Sequence, residues 1–376
     1  MVPKAALKGR GQVRSFISVV IPTRRRRRGT CPERSRREPA FVCSARLLGS
    51  APPIAYHGFA LPLPERALIA ALRRRIRPRP AIVTGIGDDC AVLRVPAGHE
   101  MLVTTDFSLE GVHFRRDWHP AESVGHRCLA RGLSDLAAMG GVPVAVFLSL
   151  ALPGKVPQRW VDRFFVGLLN LAAEFNVPLA GGDTSQSPDG ILADIMVVGS
   201  VPKGKAILRS GARAGDRIYV TGGLGESAAA LEALRAGRKI KAADYPRHFH
   251  PQPRIGIGQF LRRRGLASAM IDLSDGLSTD LCHLCEESGV GAEIQSAFVP
   301  RALVGKPARA VALDVALHGG EDYELLFTSA KQVPSKIAGV SVSEIGRMVR
   351  GSKMVLVDES GARKRLRPEG WEHFRR

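Results

Sequence analysis

The sequence predicts an α/β (α+β) protein with two folded domains. Segments with strand and helix patterns alternate in both halves of the chain, as in folds that pack helices against a sheet. The 376 residues, 45% of them hydrophobic, are enough for two cores. The segment 203–215 is rich in glycine and basic residues and poor in apolar ones. We therefore predict a domain at 58–205 and a second domain at 206–376.

In the first half, the elements are predicted from the spacing of apolar residues. A spacing of three to four residues indicates a helix, and short runs of β-branched residues indicate strands. Pro78 and Pro80 end the first helix, and Gly140 and Gly141 close the second, which is predicted to be amphipathic. The predicted helices are 64–76, 121–139 and 158–176, and the predicted strands are 101–105, 144–150, 177–180 and 191–201.

The second half repeats the alternation after the basic segment. A strand at 217–221 leads into a glycine-rich turn and a helix that ends at Leu234. A strand at 267–273 leads into an aspartate-rich turn and a helix at 277–288. A last strand is predicted at 322–328.

Residues 1–57 differ in composition from the rest of the chain. They carry a net charge of +11, more than half of the total of +20, and include five consecutive arginines at 24–28. We predict a disordered extension or a mis-assigned start, with a nucleic-acid-binding arm or a transit peptide as alternatives. If translated, the segment would add only nonspecific polyanion binding.

Cysteine usage and apolar run lengths indicate the compartment. No apolar run approaches the roughly 18 residues of a membrane helix, so no membrane partner is predicted. Six cysteines in a chain of this length do not form a disulfide framework, which favours a reducing, cytoplasmic compartment. Cys282 and Cys285 form an isolated CxxC pair, which we interpret as two ordinary helix cysteines rather than a metal site.

Five short acidic stretches follow or flank apolar runs, so each carboxylate is expected at a strand end or a tight turn. Carboxylates gathered in one place repel one another unless cations hold them together. Mg²⁺ prefers carboxylate oxygen and bridges protein to substrate phosphates, which predicts a magnesium–nucleotide site. The stretches are GIGDD at 85–89, TTD at 104–106, LSD at 133–135, GGDT at 181–184 and IDLSDG at 271–276.

The stretch 271–276 is the sharpest of these motifs. Asp272 and Asp275 lie between a predicted strand and the N-terminus of a helix, where free N–H groups favour phosphate. Ser274 or Asp275 could instead simply cap the helix. Both roles are compatible with the sequence.

Each of the other candidate residues has an ordinary structural interpretation as well as a functional one. Asp135, late in an otherwise small and apolar helix, is costly unless paired or metal-bound, but it could be an exposed position. Arg209 could bind phosphate bidentately or be a solvated linker charge. His113 could donate to a phosphate or be a structural loop histidine. The glycine runs do not match a P-loop, and no nucleophile–base pair is evident, so direct in-line transfer is the simplest mechanism.

With these motifs in this order, the chain resembles the thiamine-monophosphate kinase family. The resemblance extends from about residue 58 to the C-terminus. The motifs that carry it are GIGDDCAVL (85–93), TTDFSLEGVHF (104–114), LSDLAAMG (133–140), AGGDT (180–184), LRSGARAGD (208–216), IDLSDGLSTDL (271–281) and GGEDYELLF (319–327). The resemblance implies phosphorylation of thiamine monophosphate by ATP to thiamine diphosphate, the last step of its biosynthesis. It also implies a two-domain aminoimidazole-ribonucleotide-synthetase-like fold whose N-terminal domain binds ATP and Mg²⁺ and forms a β-barrel in a homodimer.

The resemblance also implies roles for individual residues. The implied ligands of several Mg²⁺ ions are Asp89, Thr104, Thr105, Asp106, Asp135, Asp183, Asp272 and Asp275. The implied ATP contacts are Gly182, Asp183, Arg209 and Ser274. The implied contacts to thiamine monophosphate are His113, Glu321 and Trp371. Trp371 could stack on the cationic thiazolium or be a C-terminal packing residue.

Three related enzymes and one different class remain as alternatives. A selenophosphate synthetase should carry a reactive Cys or selenocysteine with a Lys near the start of its fold, and none is found. A hydrogenase-maturation dehydratase should end in Cys, whereas this chain ends in Arg376. The IDLSDG and GGEDYE motifs fit an aminoimidazole ribonucleotide synthetase less well than they fit the kinase. A nucleic-acid-binding protein is suggested by the pI near 10.5, but that rests mostly on residues 1–57.

Overall fold

The computed structural model describes residues 63–76, 79–86 and 90–372. The predicted basic extension and the candidate ligand Asp89 lie outside these residues. The helices are α1 (Glu65–Arg75), α2 (Ala121–Ala138), α3 (Gln158–Glu174), α4 (Glu226–Arg235), α5 (Pro246–Phe249), α6 (Ile255–Arg264), α7 (Leu277–Ser288) and α8 (Leu313–His318). The strands are β1 (Ile82–Thr84), β2 (Val92–Leu93), β3 (His99–Leu109), β4 (Val142–Pro153), β5 (Leu179–Ser187), β6 (Leu192–Pro202), β7 (Arg217–Thr221), β8 (Ala269–Asp272), β9 (Gly291–Gln295), β10 (Leu303–Val304), β11 (Arg309–Ala310), β12 (Leu325–Ser329), β13 (Lys336–Ile337), β14 (Val340–Val349), β15 (Met354–Val357) and β16 (Arg363–Arg365).

A four-stranded sheet in the order β3-β6-β4-β5 forms the first half of the fold. β4 and β5 run parallel, and the other pairs are antiparallel. Helix α2 packs on one face, where Gly132 lies against Ile195 and Val197. The β1–β2 hairpin covers part of the other face, where Ile82 packs beside Ala145. The sheet is open within the single chain, so the dimeric β-barrel stays a prediction.

Two acidic stretches lie inside strands, so the prediction that every carboxylate sits at a turn or strand end is wrong. Asp106 lies in the middle of β3, because β3 pairs with β6 along its whole length. Asp183 likewise lies within β5, opposite Ser149 of β4. A run of polar residues resembles a turn in sequence, but here neighbouring strands satisfy its backbone groups.

Helix α2 begins at the predicted residue, but the prediction that it is amphipathic is wrong. All but two of its eighteen residues are buried, the exceptions being Glu122 and Asp135. α2 is enclosed by the four-stranded sheet, by α3 and by α6. A Cβ on Gly125 would lie 1.9 Å from the Phe164 carbonyl oxygen of α3, and one on Gly258 of α6 would lie 2.0 Å from the Ala137 carbonyl oxygen.

A larger mixed sheet forms the second half, in the order β16-β15-β9-β14-β7-β12-β8, with β13 added beside β14. Leu277, Leu281 and Leu284 of α7 pack in the core that includes Ile218 and Val220 of β7. β8 is one of the two edge strands of this path, and its last residue is Asp272. The alternation of helices and strands confirms the predicted α/β class. Among the described residues, no helix is long and apolar enough to cross a membrane.

Candidate active site

Three candidate carboxylates meet where β3, α2 and β8 come together. Thr104 and Asp106 point to the α2 side of β3, because inward positions alternate along the strand. Thr104 Oγ1 donates to Asp135 Oδ2 over 2.5 Å. Ser134 Oγ donates to Asp272 Oδ2 over 2.6 Å, which joins α2 to the end of β8. Neighbouring residues of α2 therefore reach two different candidate ligands.

The electrostatics of this site show that the carboxylates are crowded. Burial and the neighbouring charge of Asp135 raise the pKa of Asp272 to about 7. Burial also raises the pKa of Asp106 to about 6, with the Arg131 charge opposing and the Asp135 charge adding to the rise. These side chains are close enough to repel one another, so full ionisation at neutral pH requires additional positive charge.

The β8–α7 loop is fixed by a residue outside the predicted set. Gly276 occupies the N-cap position of α7, so the alternative prediction that Ser274 or Asp275 caps this helix is wrong. The Asp280 carboxylate accepts the N–H groups of Asp275 and Gly276, each over 3.1 Å. Because Asp280 lies one turn inside the helix, it holds the loop from within.

Glu321 lies in a loop that is bound to the β8–α7 loop. The Glu321 N–H donates to the Ser274 carbonyl over 2.7 Å, and the Tyr323 N–H donates to the Leu273 carbonyl over 2.9 Å. Glu321 and Tyr323 both have positive φ, 64° and 51°, a conformation that is uncommon for side-chain-bearing residues. This strained backbone directs the Glu321 carboxylate toward α2, where Arg127 and Arg131 bind it.

His113 is held in one tautomer by its own loop. The Leu109 N–H donates to His113 Nδ1 over 3.0 Å, so the neutral imidazole carries its proton on Nε2. The ring can therefore donate a hydrogen bond from Nε2, as a contact to a phosphate oxygen requires.

Trp371 is brought next to the β8–α7 loop. The backbone N–H of Trp371 donates to the Asp275 carbonyl over 3.0 Å, and the backbone N–H of Gly370 donates to Thr279 Oγ1 over the same distance. A Cβ on residue 370 would lie 2.1 Å from the Asp275 carbonyl oxygen, so the approach requires glycine. Trp371 is about half exposed.

Arg209 lies close enough to act on the carboxylates. Burial raises the pKa of Asp135, while the Thr104 hydrogen bond and the Arg209 charge oppose the rise. The Arg209 carbonyl accepts from Ser288 Oγ over 2.8 Å, which fixes its backbone. The backbone of Arg209 is therefore fixed near the site, and the residue is exposed.

The single chain does not bring the whole predicted set together. Thr105 pairs with Met196 and faces away from α2, opposite to Thr104 and Asp106. Asp183 faces the same way on the edge strand β5, three strand spacings or about 14 Å from β3. Gly182 lies beside Asp183, and a Cβ there would meet the Leu148 carbonyl oxygen at 1.9 Å. Thr105 and Asp183 are therefore a second group of predicted ligands only in sharing the far face of the sheet, since they lie too far apart in the single chain to share one ion.

Sequence reasoning missed the two arginines of α2 and Asp280. Arg127, Arg131 and Asp135 are spaced four residues apart, so they lie along one stripe of the helix. Two arginines in an otherwise apolar helix, spaced in line with a candidate ligand, are a sequence signal that could have identified Arg127 and Arg131.

The donor chemistry of the first group fits Mg²⁺. Thr104, Asp106, Asp135 and Asp272 supply hydroxyl and carboxylate oxygens, which are the ligands that this ion prefers. In the described part of the chain, no three His, Cys, Asp or Glu side chains are arranged as a ready-made metal cluster. The fit therefore rests on oxygen donors and crowded charge rather than on a closed ligand cage.

Comparison with known proteins places these features in a family. Residues 87–201 match the N-terminal domain model of AIR synthase related proteins, and residues 213–359 match the C-terminal domain model. Thiamine-monophosphate kinase of Escherichia coli (strain K12) is 40% identical over 324 residues, which cover 82% of this chain and 98% of the relative.

Solved structures agree with the sequence comparison. Thiamine-monophosphate kinase from Stenotrophomonas maltophilia K279a has a TM-score of 0.69 at 35% identity, with 80% of this chain and 98% of that one covered. AaThiL complexed with AMPPCP and TMP has a TM-score of 0.65 at 32% identity, with 82% and 97% covered. The chain belongs to the thiamine-monophosphate kinase family of AIR synthase related proteins.

Proposed function

We propose that this protein transfers the γ-phosphoryl group of ATP to thiamine monophosphate, forming thiamine diphosphate and ADP. Its family membership supports kinase chemistry, and the complex of the relative AaThiL with AMPPCP and TMP supports these two substrates. The observation that carries the proposal is the crowding of Asp106, Asp135 and Asp272 where β3, α2 and β8 come together. Such a site needs cations, and ATP brings them as its magnesium complex.

We propose that several Mg²⁺ ions are held by two groups of oxygen ligands. Bound Mg²⁺ would neutralise negative charge on the two phosphates that must approach each other. The first group is Thr104, Asp106, Asp135 and Asp272, with Asp275 on the adjoining loop. The second group comprises the remaining predicted ligands Thr105, Asp183 and Asp89. Thr105 and Asp183 lie on strands about 14 Å apart in the single chain, so these two residues would hold different ions.

The protein's own side chains would bind and orient the reactants. His113 would donate from Nε2 to the acceptor phosphate, and Arg209 would bind a phosphate of ATP. Gly182 and Ser274 complete the proposed ATP contacts. No general base is needed, because the attacking oxygen of the acceptor phosphate is already ionised, which favours direct in-line transfer.

Turnover of the full chain with ATP, Mg²⁺ and thiamine monophosphate tests this function. Thiamine diphosphate is measured by chromatography, and ADP by a coupled assay. Asp272→Asn should lower kcat by about a hundredfold or more, because it removes a charge from the proposed metal site. A matched change at Asp314, an exposed acid at the start of α8, should leave turnover unchanged.

The outcomes separate the parts of the proposal. If ATP is hydrolysed but no thiamine diphosphate forms, the proposed acceptor, thiamine monophosphate, is rejected while the fold assignment is retained. If Asp272→Asn turns over as fast as the wild type, the proposed metal site is rejected while the proposed substrates are retained.

A further inference from the structure

Two buried arginines of α2 converge on the carboxylate of Glu321. Arg127 Nη2 donates to Glu321 Oε2 over 2.7 Å, and Arg131 Nη2 donates to Glu321 Oε1 over 2.5 Å. The arginine side chains are 5% and 7% exposed, whereas the glutamate side chain is 25% exposed. The glutamate side chain is therefore partly accessible to solvent, while the arginines that hold it are enclosed by the fold.

Arg127 also reaches the loop that carries His113. Its Nη2 donates to the His113 carbonyl over 3.3 Å, and its Nη1 donates to the His248 carbonyl over 2.5 Å. One guanidinium thus contacts two of the three residues proposed to bind thiamine monophosphate, His113 and Glu321. The planar five-donor group of arginine is suited to such a bridge, and lysine could not make all of these bonds at once.

Arg131 connects the same carboxylate to the proposed metal side. Its Nη1 donates to the Phe107 carbonyl over 2.9 Å and lies 3.4 Å from Asp106 Oδ1. Glu321 is thereby tied both to the acceptor loop through Arg127 and to β3 through Arg131. Loops from the two halves of the chain are fixed to one stripe of α2.

The energetics indicate that this arrangement has a purpose beyond stability. A buried ion pair is weak evidence for stability, because removing two charged groups from water offsets their attraction. Burial by itself raises the pKa of Glu321, but the charges of Arg127 and Arg131 reverse the shift and hold the pKa well below its usual range. The φ of 64° at Glu321 adds backbone strain. The fold sustains these costs where a side chain must be both ionised and fixed.

We propose that Arg127 and Arg131 are positioning residues that hold His113 and Glu321 in the geometry that binds the acceptor, thiamine monophosphate. This inference rests on the proposed function. The arginines act through their neighbours rather than by contacting the transferred phosphoryl group. Their loss should therefore weaken acceptor binding more than ATP binding.

Steady-state kinetics of Arg127→Lys in the full chain test the proposal. The KM for thiamine monophosphate should rise about tenfold, the effect expected for one lost charged hydrogen bond, while the KM for ATP changes less than about twofold. In a Glu321→Gln background the rise caused by Arg127→Lys should be much smaller, because one of its two targets no longer carries charge. A purely structural effect would be the same in both backgrounds.

Arg163→Lys is the matched control. Arg163 of α3 also pairs with a glutamate, Glu122 of α2, but its side chain is 65% exposed. This variant should leave both KM values unchanged. If Arg127→Lys does not fold, Arg131→Lys tests the acceptor side of the prediction, since it also contacts Glu321: the KM for thiamine monophosphate should rise, and the rise should be much smaller in the Glu321→Gln background.

The possible results distinguish this proposal from the proposed function. Wild-type protein that forms no thiamine diphosphate would reject the function, and the positioning role with it. Active wild type with an equal rise in both KM values, or with additive effects of Arg127→Lys and Glu321→Gln, would overturn the positioning role alone.

Discussion

At the scale of single residues, a set of buried histidines lies beside the candidate site. His126 Nε2 contacts the Pro251 carbonyl at 2.8 Å, and His119 Nε2 lies 3.0 Å from His248 Nε2. Burial, with a contribution from nearby Arg127, lowers the pKa of His119 to about 4 and that of His248 to about 2. These rings are neutral in the folded protein, which suits positions next to a buried arginine.

The effect of pH on stability can be predicted for His126. Burial lowers its pKa from 6.5 to about 4, so below pH 6.5 the unfolded chain binds a proton that the folded chain does not. The stability that this group contributes is present above pH 6.5 and is lost as the pH falls toward 4. Relative to His126→Gln, the wild type should lose about 1–2 kcal/mol between pH 8 and pH 5.

Urea denaturation at both pH values measures this difference. Raised carboxyl pKa values, such as that of Asp322 at about 7, act in the opposite direction but are common to both proteins and cancel. A difference between the two proteins that stays constant from pH 8 to pH 5 would show that His126 is protonated alike in the folded and unfolded chains.

Sequence reasoning at single residues identifies candidate ligands more readily than the residues that contact them. Asp135 could be named as a candidate ligand because a carboxylate in an apolar setting demands a partner, and Asp272 because it lies between a strand and a helix N-terminus. The hydrogen bonds from Thr104 to Asp135 and from Ser134 to Asp272 could not be predicted, since they depend on how α2 packs against β3 and β8. Arg127 could be noticed from its spacing with Arg131 and Asp135, but its bond to Glu321 could not be predicted, because that bond depends on the tertiary position of Glu321.

At the scale of elements, α2 and α3 approach closely through reciprocal glycines. A Cβ on Gly125 would lie 1.9 Å from the Phe164 carbonyl oxygen, and one on Gly167 would lie 1.9 Å from the Glu122 carbonyl oxygen. Neither position has room for a methyl group, and both obstacles are backbone atoms. The helices must therefore separate if either glycine is replaced.

Gly125→Ala should destabilise the protein by about 1–3 kcal/mol, the usual cost of overpacking a core. It should also lower kcat, because α2 carries Arg127, Arg131 and Asp135. Chemical denaturation and turnover measure the two effects. Gly256→Ala is the control, since a Cβ there meets nothing within 4 Å and alanine favours the helix, so its stability should be unchanged or slightly higher. Equal effects of the two substitutions would contradict the close-packing argument.

The helix starts of α2, α3 and α7 match the sequence prediction, whereas several strands do not. Prolines and glycines mark helix ends locally, so they are visible in sequence. The extension of β3 through Asp106 depends on β6, more than eighty residues away, and no local pattern reports it. For the same reason β9, β14 and β15 were missed, because β15 pairs with β9, and β14 pairs with β7 and β9, across long separations in the sequence.

At the scale of the whole molecule, the far face of the first sheet bears on assembly. Val103 and Phe107 of edge strand β3 are 54% and 53% exposed, and Met101 beside them is 41% exposed. An uncovered apolar strand at a sheet edge invites pairing. We propose that a second copy of this chain covers it, as the family resemblance implies, and that pairing the open sheets closes the predicted barrel.

Sedimentation equilibrium measures the assembly state. The full chain should have twice the mass of one copy, and Val103→Asp should shift it toward single copies, because a charge in an apolar contact opposes association. Glu100, whose carboxylate binds the Gly204 N–H at the surface, offers a control position on the same strand. A wild type of single-copy mass at assay concentrations would contradict the proposal.

The burial of α2 has a consequence for the modularity of this protein. Its sequence belongs to the first half, yet Ser134 bonds Asp272, Arg127 bonds Glu321 and Ala137 touches Gly258, all in the second half. A gene cut between the halves would leave each fragment with an unfinished interior rather than an independent module. The two predicted domains therefore depend on each other to complete their cores. A recombinant of two relatives would keep these contacts only if it exchanged α2 together with the loops that α2 holds.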